Sequence, residues 1–427
     1  MFLRSFKLFV AALMSLLLLA CSNGDPAPAP TGLSVSAGES SATLTWDMNG
    51  DVEYWAFFAP TSVAPGIVAS MQGWFGLPGG NVLLRVSSPY VVQGLVNGVS
   101  YNFSINGRTG GGPGGPGAVP VSTTPRIAGS NWAATAASGS NDLRSVAYGS
   151  TTTTSLVNSV TTTTNLTSTY VAVGAAGAMY SSTDGAAWSA INYATSNRLN
   201  GAAFFNNYKV VGDAGVVLTS PDTITWTAQT SGTTQNLYAI ASNGLTLNVA
   251  VGANGTIISS ADGVTWTAAS NPATSRDLYA VNYGGGYWVA VGAGGTIVYS
   301  SDGLSWLNAN PGVTSDLRGI ASFASVSTTG VLSTTYVAVG AAGTLLSSSD
   351  ALAWAPRAIP TPAASLNSVV FGTQFVAVGS GGSILYSTDG LTWTAAKSAS
   401  SSDILAVTHG LDGYYAVGTA GSHLQSK

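Results

Sequence analysis

Seven tryptophans restrict what most of this chain can become. Trp132, Trp188, Trp226, Trp266, Trp306, Trp354 and Trp393 are 56, 38, 40, 40, 48 and 39 residues apart, a period of about 40 with two insertions. A period of that length marks stacked supersecondary units, each unable to bury its apolar face alone. The unit ending near Trp306 divides into four short runs: "LYAVNY" (278–283), "YWVAVG" (287–292), "TIVYSS" (296–301) and "LSWLNA" (304–309). Four strands per unit predict one blade of a β-propeller.

Blade number and closure follow from one count. The "VAVG" element or its variant ends at Gly174, Gly212, Gly252, Gly292, Gly340, Gly379 and Gly418, seven times. Trp132 precedes the first of these, and no Trp follows the last. Residues 130–135, "SNWAAT", are therefore expected to supply the outer strand of the blade begun by "ILAVTH" (404–409), which closes the ring and removes the open edges. The insertions, 150–169 and 323–335, fall between first and second strands of blades one and five. They alternate small polar with apolar residues, which predicts extended hairpins.

An aspartate recurs in each unit. Asp184, Asp222, Asp262, Asp302, Asp350 and Asp389 precede Trp188, Trp226, Trp266, Trp306, Trp354 and Trp393 by four positions. In "YSSDGLSW" the Asp and Gly fall between the third and fourth strands, so they read as a tight turn. The carboxylate suits backbone N–H groups one or two residues on, the Gly tolerates positive φ, and the Trp is expected on the outer strand, packing between blades. A metal would need several converging oxygens, and each turn offers one carboxylate. "SPDTITW" and "SSDALAW" lack the Gly, so their turns are expected to adjust. The motif resembles the Asp-box, or BNR-type, repeat of sialidases and related propellers, with Asp and Trp one position closer than in many. The ring is also similar to the photosystem II assembly factor family, which implies a protein-binding platform.

Upstream, residues 31–125 carry short alternating runs such as "ATLTW", "YWAFFA" and "SYNFSIN" between turn residues. Trp46, Tyr54 and the Leu95–Tyr101 pair resemble a fibronectin type III domain with its tyrosine corner. "GGGPGGPG" (110–117) reads as a flexible loop before the last strand of that domain, since no helix follows to make a phosphate cradle. Residues 21–30 include "SNGDPAPAP", expected to be an extended tether. Residues 1–20 read as a signal peptide: Arg4 and Lys7, an apolar run over 8–19, then a small residue before Cys21. That arrangement resembles the lipobox of bacterial lipoproteins, which implies lipidation of Cys21, attachment to a membrane and, with Ser22 following, an outer-membrane address. Cys21 is the single cysteine, so no intrachain disulfide can form.

Composition and site chemistry narrow the function. Charged residues make up 7% of the chain and the net charge is −4, which gives no basic stripe for nucleic acid. A sialidase-like carbohydrate-active enzyme is the competing class, and it would need glutamate in the ring. The glutamates are Glu39 and Glu53, both in the fibronectin-like segment. Of twelve aspartates in the ring, six lie in the turns and Asp142, Asp277, Asp316 and Asp403 precede first strands, leaving Asp213 and Asp412. His409 and His423 fall in the closing blade and read as structural; no metal or cofactor is expected. Arg144, Arg198, Arg276 and Arg318 lie within two residues of the Leu that begins a first strand. With Tyr238 and Tyr279 nearby they would suit an acidic or carboxylate-bearing ligand at the channel mouth. The alternative pairs them with the strand-start aspartates as inter-blade salt bridges. The whole reads as an all-β, seven-bladed β-propeller behind a fibronectin type III-like sandwich. As function this gives a non-catalytic, envelope-anchored lipoprotein that binds a protein or glycan, with adhesion through the Thr-rich insertions as a third possibility.

Overall fold

The computed structural model describes residues 26–426 except 39, 64–73, 75, 76, 78, 158, 159, 327–331, 361–363, 411 and 412. Cys21, the signal segment, Glu39 and Asp412 lie outside the described residues. The chain divides into two compact units, Met1–Ile127 and Ala128–Lys427. Both are built from antiparallel strands, and no described helix is long and apolar enough to cross a membrane.

The described residues of the first unit form seven strands: β1 (Ser34–Gly38), β2 (Ser41–Thr45), β3 (Val52–Pro60), β4 (Asn81–Val86), β5 (Tyr90–Gln93), β6 (Tyr101–Thr109) and β7 (Val121–Thr123). They form a three-stranded sheet, β1-β2-β5, and a four-stranded sheet, β4-β3-β6-β7. Between them Leu44, Trp46, Tyr54, Phe58, Phe103 and Ile105 make one core. The other face of β3 is also covered, Phe57 and Ala59 packing with Trp74. Burial on both faces explains why "YWAFFA" is apolar throughout instead of alternating. Tyr101 Oη accepts a hydrogen bond from the Val96 N–H at 3.2 Å, fixing the turn into β6.

Two expectations fail here for related reasons. Pro26 bridges to Arg108 and Ala27 is 2% exposed, so this end of the expected tether is docked on β6. The glycine-rich segment is held too: Gly115 N–H donates to Gly107 at 2.9 Å, and Gly117 bridges to Asn106. A Cβ on Gly115 would overlap the Ala27 carbonyl, so its glycine serves close approach and not freedom.

The second unit opens with β8 (Ala133–Thr135). Seven four-stranded antiparallel sheets follow among its described residues. Six are built from consecutive strands. The remaining one joins Ile404–His409, Tyr414–Gly418 and His423–Ser426 to β8, with His423 opposite Thr135 and Gln425 opposite Ala133. First strands pack in a cycle, Leu143–Val157 against Leu199–Phe205 and so on to Ile404–His409, which returns to Leu143–Val157.

Packing explains the repeat. The second strand of each sheet is central and lies between neighbouring sheets, so Tyr287–Gly292 is buried from Trp288 onward and reads as an unbroken apolar run. One cluster joins Val249, Val251 and Ile257 of one sheet to Leu278, Trp288, Ala290 and Trp306 of the next. Each such side chain contributes roughly 2 kcal/mol of burial, so stability resides between sheets. Gly292 ends its strand because a Cβ would overlap the Asp277 carbonyl, to which Ala293 N–H donates at 2.9 Å. The outer strand begins after the tryptophan, at Leu307–Ala309, so Trp306 closes the turn instead of lying on the strand. Both insertions continue their strands as hairpins, Leu143–Val157 with Val160–Gly174 and Leu317–Val326 with Leu332–Gly340.

Candidate functional site

The repeated aspartate is a structural knot. Asp302 Oδ1 accepts from Ser300 Oγ at 2.8 Å and from the N–H groups of Leu304 and Ser305 at 2.8 and 2.9 Å. Its backbone donors are thus two and three residues on, one further than expected. Ser300 Oγ in turn accepts the Gly303 N–H at 2.8 Å, and Trp306 Nε1 donates to the Gly303 carbonyl at 3.3 Å. The serine two positions before each aspartate, Ser182, Ser220, Ser260, Ser300, Ser348 or Ser387, makes the same bond in all six turns. At Asp222, Asp262, Asp302 and Asp350 these backbone N–H groups pull the carboxylate below its usual range, Asp262 to about 2. The turns lacking glycine do not adjust: Thr223 and Ala351 take φ of 66° and 65°, beside 73° at Gly303.

A seventh knot is divided between the ends of the unit. Trp132 Nε1 donates to the Gly129 carbonyl at 2.8 Å, and the Gly129 N–H donates to Ser426 Oγ at 2.8 Å. Ser426 thus takes the role of Ser300, Gly129 that of Gly303 and Trp132 that of Trp306. Ala128 precedes Gly129 where the aspartate would stand.

At the opposite end of the sheets, where first strands begin, lies a cavity of about 500 Å³. Seven of its ten lining residues follow one rule, and Arg198, Asp277 and Asp316, which precede their first strands, complete the lining. The residue after the first Leu or Ile of each first strand points in: Arg144, Asn200, Tyr238, Tyr279, Arg318, Asn367 and Leu405. The following residues, among them Gly201, Ala239, Ala280 and Gly319, line a narrower channel of about 150 Å³. Small residues are required there, since a Cβ on Gly201 or Gly319 would stand 3.0 Å from the backbone of the next sheet.

Polar groups of the ring are partly spent. Asn200 and Asn367 donate to the carbonyls of Leu237 and Ile404 at 2.9 Å, stapling neighbouring sheets. Arg318 donates to Asn367 Oδ1 at 3.0 Å. Tyr238 and Tyr279 lie with ring centroids 5.7 Å apart. Burial, then the charge of Asp277 and of Asp316 respectively, holds their phenols above the usual range, so they stay neutral donors. The Arg144 side chain makes no hydrogen bond or ion pair among the described residues, and burial, then Arg198, pushes its pKa down.

No protein-family model matches this chain, and no curated protein matches it. Solved structures do. "YCF48 bound to D1 peptide" is 15% identical, with a TM-score of 0.51 over 69% of this chain and 94% of that one. YCF48 from Cyanidioschyzon merolae is 16% identical, with a TM-score of 0.50 over 69% and 98%. The WD40 β-propeller domain of Doa1 is 10% identical, with a TM-score of 0.51 over 70% and 97%. The shared fold is a β-propeller.

Within the propeller the anticipated residues separate. Arg144, Arg198, Arg318, Tyr238 and Tyr279 line the mouth together with Asp277 and Asp316, whereas Arg276 turns away to donate to the Gly294 carbonyl at 2.9 Å. Arg276 lies two residues before Leu278, on the wrong side of the strand start. Among the described residues the strand-start aspartates make no inter-sheet salt bridges. Asp277, Asp316, Asp403 and Asp142 instead accept the N–H of Asn254, Gly294, Gly381 and Ala420 in the preceding sheet, at 2.9, 2.8, 2.8 and 3.0 Å. Arg198 does pair, with Asp213 at 3.3 Å, and Asn200 holds the other Asp213 oxygen at 2.8 Å. His423 is buried at the start of its strand, stacked on Trp188 at 4.3 Å with Nε2 2.7 Å from Ser138 Oγ. His409 ends a strand running in the same direction, so the two sit at opposite ends of the propeller. No group of three His, Cys, Asp or Glu side chains able to hold a metal occurs among the described residues.

Proposed function

We propose that this chain is an envelope lipoprotein, anchored through Cys21, whose closed seven-bladed propeller holds a segment of polypeptide at the mouth ringed by Arg144, Tyr238, Tyr279 and Arg318. The observation that carries this reading is the chemistry of the ring: an unpaired guanidinium, two neutral phenols and a half-used second guanidinium around one cavity. Such groups recognise carbonyls, carboxylates and aromatic or aliphatic side chains, which a peptide offers together. The peptide bound by a neighbour of the same fold supports it. Catalysis is not part of the proposal. Asp213 is committed to Arg198 and Asn200, and the ring positions carry neither carboxylate nor histidine. The first unit serves as a fibronectin type III-type spacer, supported by its three- and four-stranded sheets and the Tyr101 corner.

A glycan is the second reading, favoured by the Tyr238–Tyr279 pair, whose faces suit sugar stacking. Residues 26–427, released from the membrane segment, separate the readings on a peptide array, a glycan array and a fluorogenic glycosidase panel. Peptide capture without turnover is expected; glycan capture alone, or hydrolysis, contradicts the proposal. Labelling with radioactive palmitate, abolished by Cys21→Ser, tests the anchor.

A further inference from the structure

The hairpin of Leu143–Val157 and Val160–Gly174 outgrows its sheet. Its third-strand neighbour, Met179–Ser182, pairs only with residues Tyr170 to Val173. Beyond that point two strands stand alone, and the outer edge of residues 150–157 meets no strand among those described. The segment 150–169 holds ten Thr and no charge, Pro or Gly, and no charged residue occurs between Arg144 and Asp184. Natural sheets guard open edges with Lys, Pro or bulges, because unpaired N–H and C=O groups template further pairing. Val160–Gly174 has such a guard, a bulge at Thr164. Residues 150–157 have none.

We propose that this edge pairs antiparallel with the same edge of a second copy of the chain, making a four-stranded ribbon across a two-fold dimer. An uncharged run of Thr offers nothing to select a charged foreign strand, whereas against itself it sets β-branched side chains opposite one another, the pairing sheets favour. Two-fold symmetry makes one such edge sufficient. Like charge does not oppose the contact. The aspartate turns lie at the same end of the sheets as this hairpin, but eight extended residues hold the two copies about 27 Å apart, beyond a Debye length of about 10 Å. The mouth lies at the other end and stays open.

Sedimentation of the full chain tests this. A monomer–dimer equilibrium in the micromolar range is expected. Thr152→Lys with Thr154→Lys, which leaves the packed part of the sheet untouched, should raise the dissociation constant by about tenfold or more. Hydrogen exchange read at low and high protein concentration should show amides of 150–157 protected only in the dimer. A wild-type chain that stays monomeric at about 100 µM, a double variant that dimerises equally well, or protection that appears elsewhere overturns the proposal.

Discussion

A single hydroxyl and a single carboxylate organise each aspartate turn, so the energetics can be tested one side chain at a time. Ser300 is 2% exposed and its oxygen accepts the Gly303 N–H at 2.8 Å, with no other acceptor for that N–H among the described residues. Ser300→Ala is expected to cost about 2 kcal/mol by orphaning that donor, measured by denaturant unfolding. Asp302→Asn keeps a carbonyl acceptor and should cost less than Asp302→Ala. His423 sets a pH dependence. Burial pushes its pKa down to about 4, below the ordinary 6.5 that it regains on unfolding. The unfolded chain therefore takes a proton first, and stability falls as pH drops from about 6.5 to about 4, by on the order of 3 kcal/mol. The turn carboxylates, held below their unfolded values, add a second loss below about pH 4. Unfolding followed from pH 7 to 3 should show both phases, and His423→Gln should remove the first. The aspartate turn was legible from Asp, Gly and Trp spacing. The Ser–x–Asp spacing was equally regular, but a hydroxyl among so many Ser and Thr residues carries no contrast until its bonds are seen.

At the level of strands, the apolar runs announced themselves because burial on both faces leaves no polar position. One departure stays hidden in the pattern: Lys209 takes the place of a core valine in "YKVVG". It is 3% exposed, with Nζ donating to the Phe205 carbonyl at 2.9 Å and the Asn207 side chain at 2.5 Å, and burial pushes its pKa down to about 8. Its stem lies over Gly263, so the amine caps a hairpin while the methylenes fill the core. The outer strands were harder to place, since their two or three exposed residues leave no periodicity and the tryptophan falls one position outside. Closure is the strand-level feature with the largest consequence. Deleting 423–427 would strip β8 of its partner and leave Tyr414–Gly418 as an open edge. The second unit should then lose cooperative unfolding, with fast hydrogen exchange in Ile404–His409 first.

For the molecule as a whole, seven copies of one unit place four residue types, two Arg, two Asn, two Tyr and one Leu, around one opening, and that is how a repeat with near-constant packing acquires specificity. The mouth was half legible. Arginines drew attention by their scarcity, yet the main rule is position, one residue past the strand's first Leu or Ile, which admits Asn200, Asn367 and Leu405; Arg276, two residues before its Leu, stays out, while Arg198, one residue before, still reaches the rim. Asparagine in a chain rich in small polar residues gives no such signal. The most direct measurement is the affinity of Arg144→Ala for a peptide selected by the wild-type protein, set beside its unfolding free energy. An unpaired guanidinium recruited by ligand predicts a roughly 10- to 100-fold loss of affinity with stability unchanged within about 0.5 kcal/mol. Unchanged affinity together with lost stability would show that the arginine belongs to the scaffold and that the mouth is not where ligand binds.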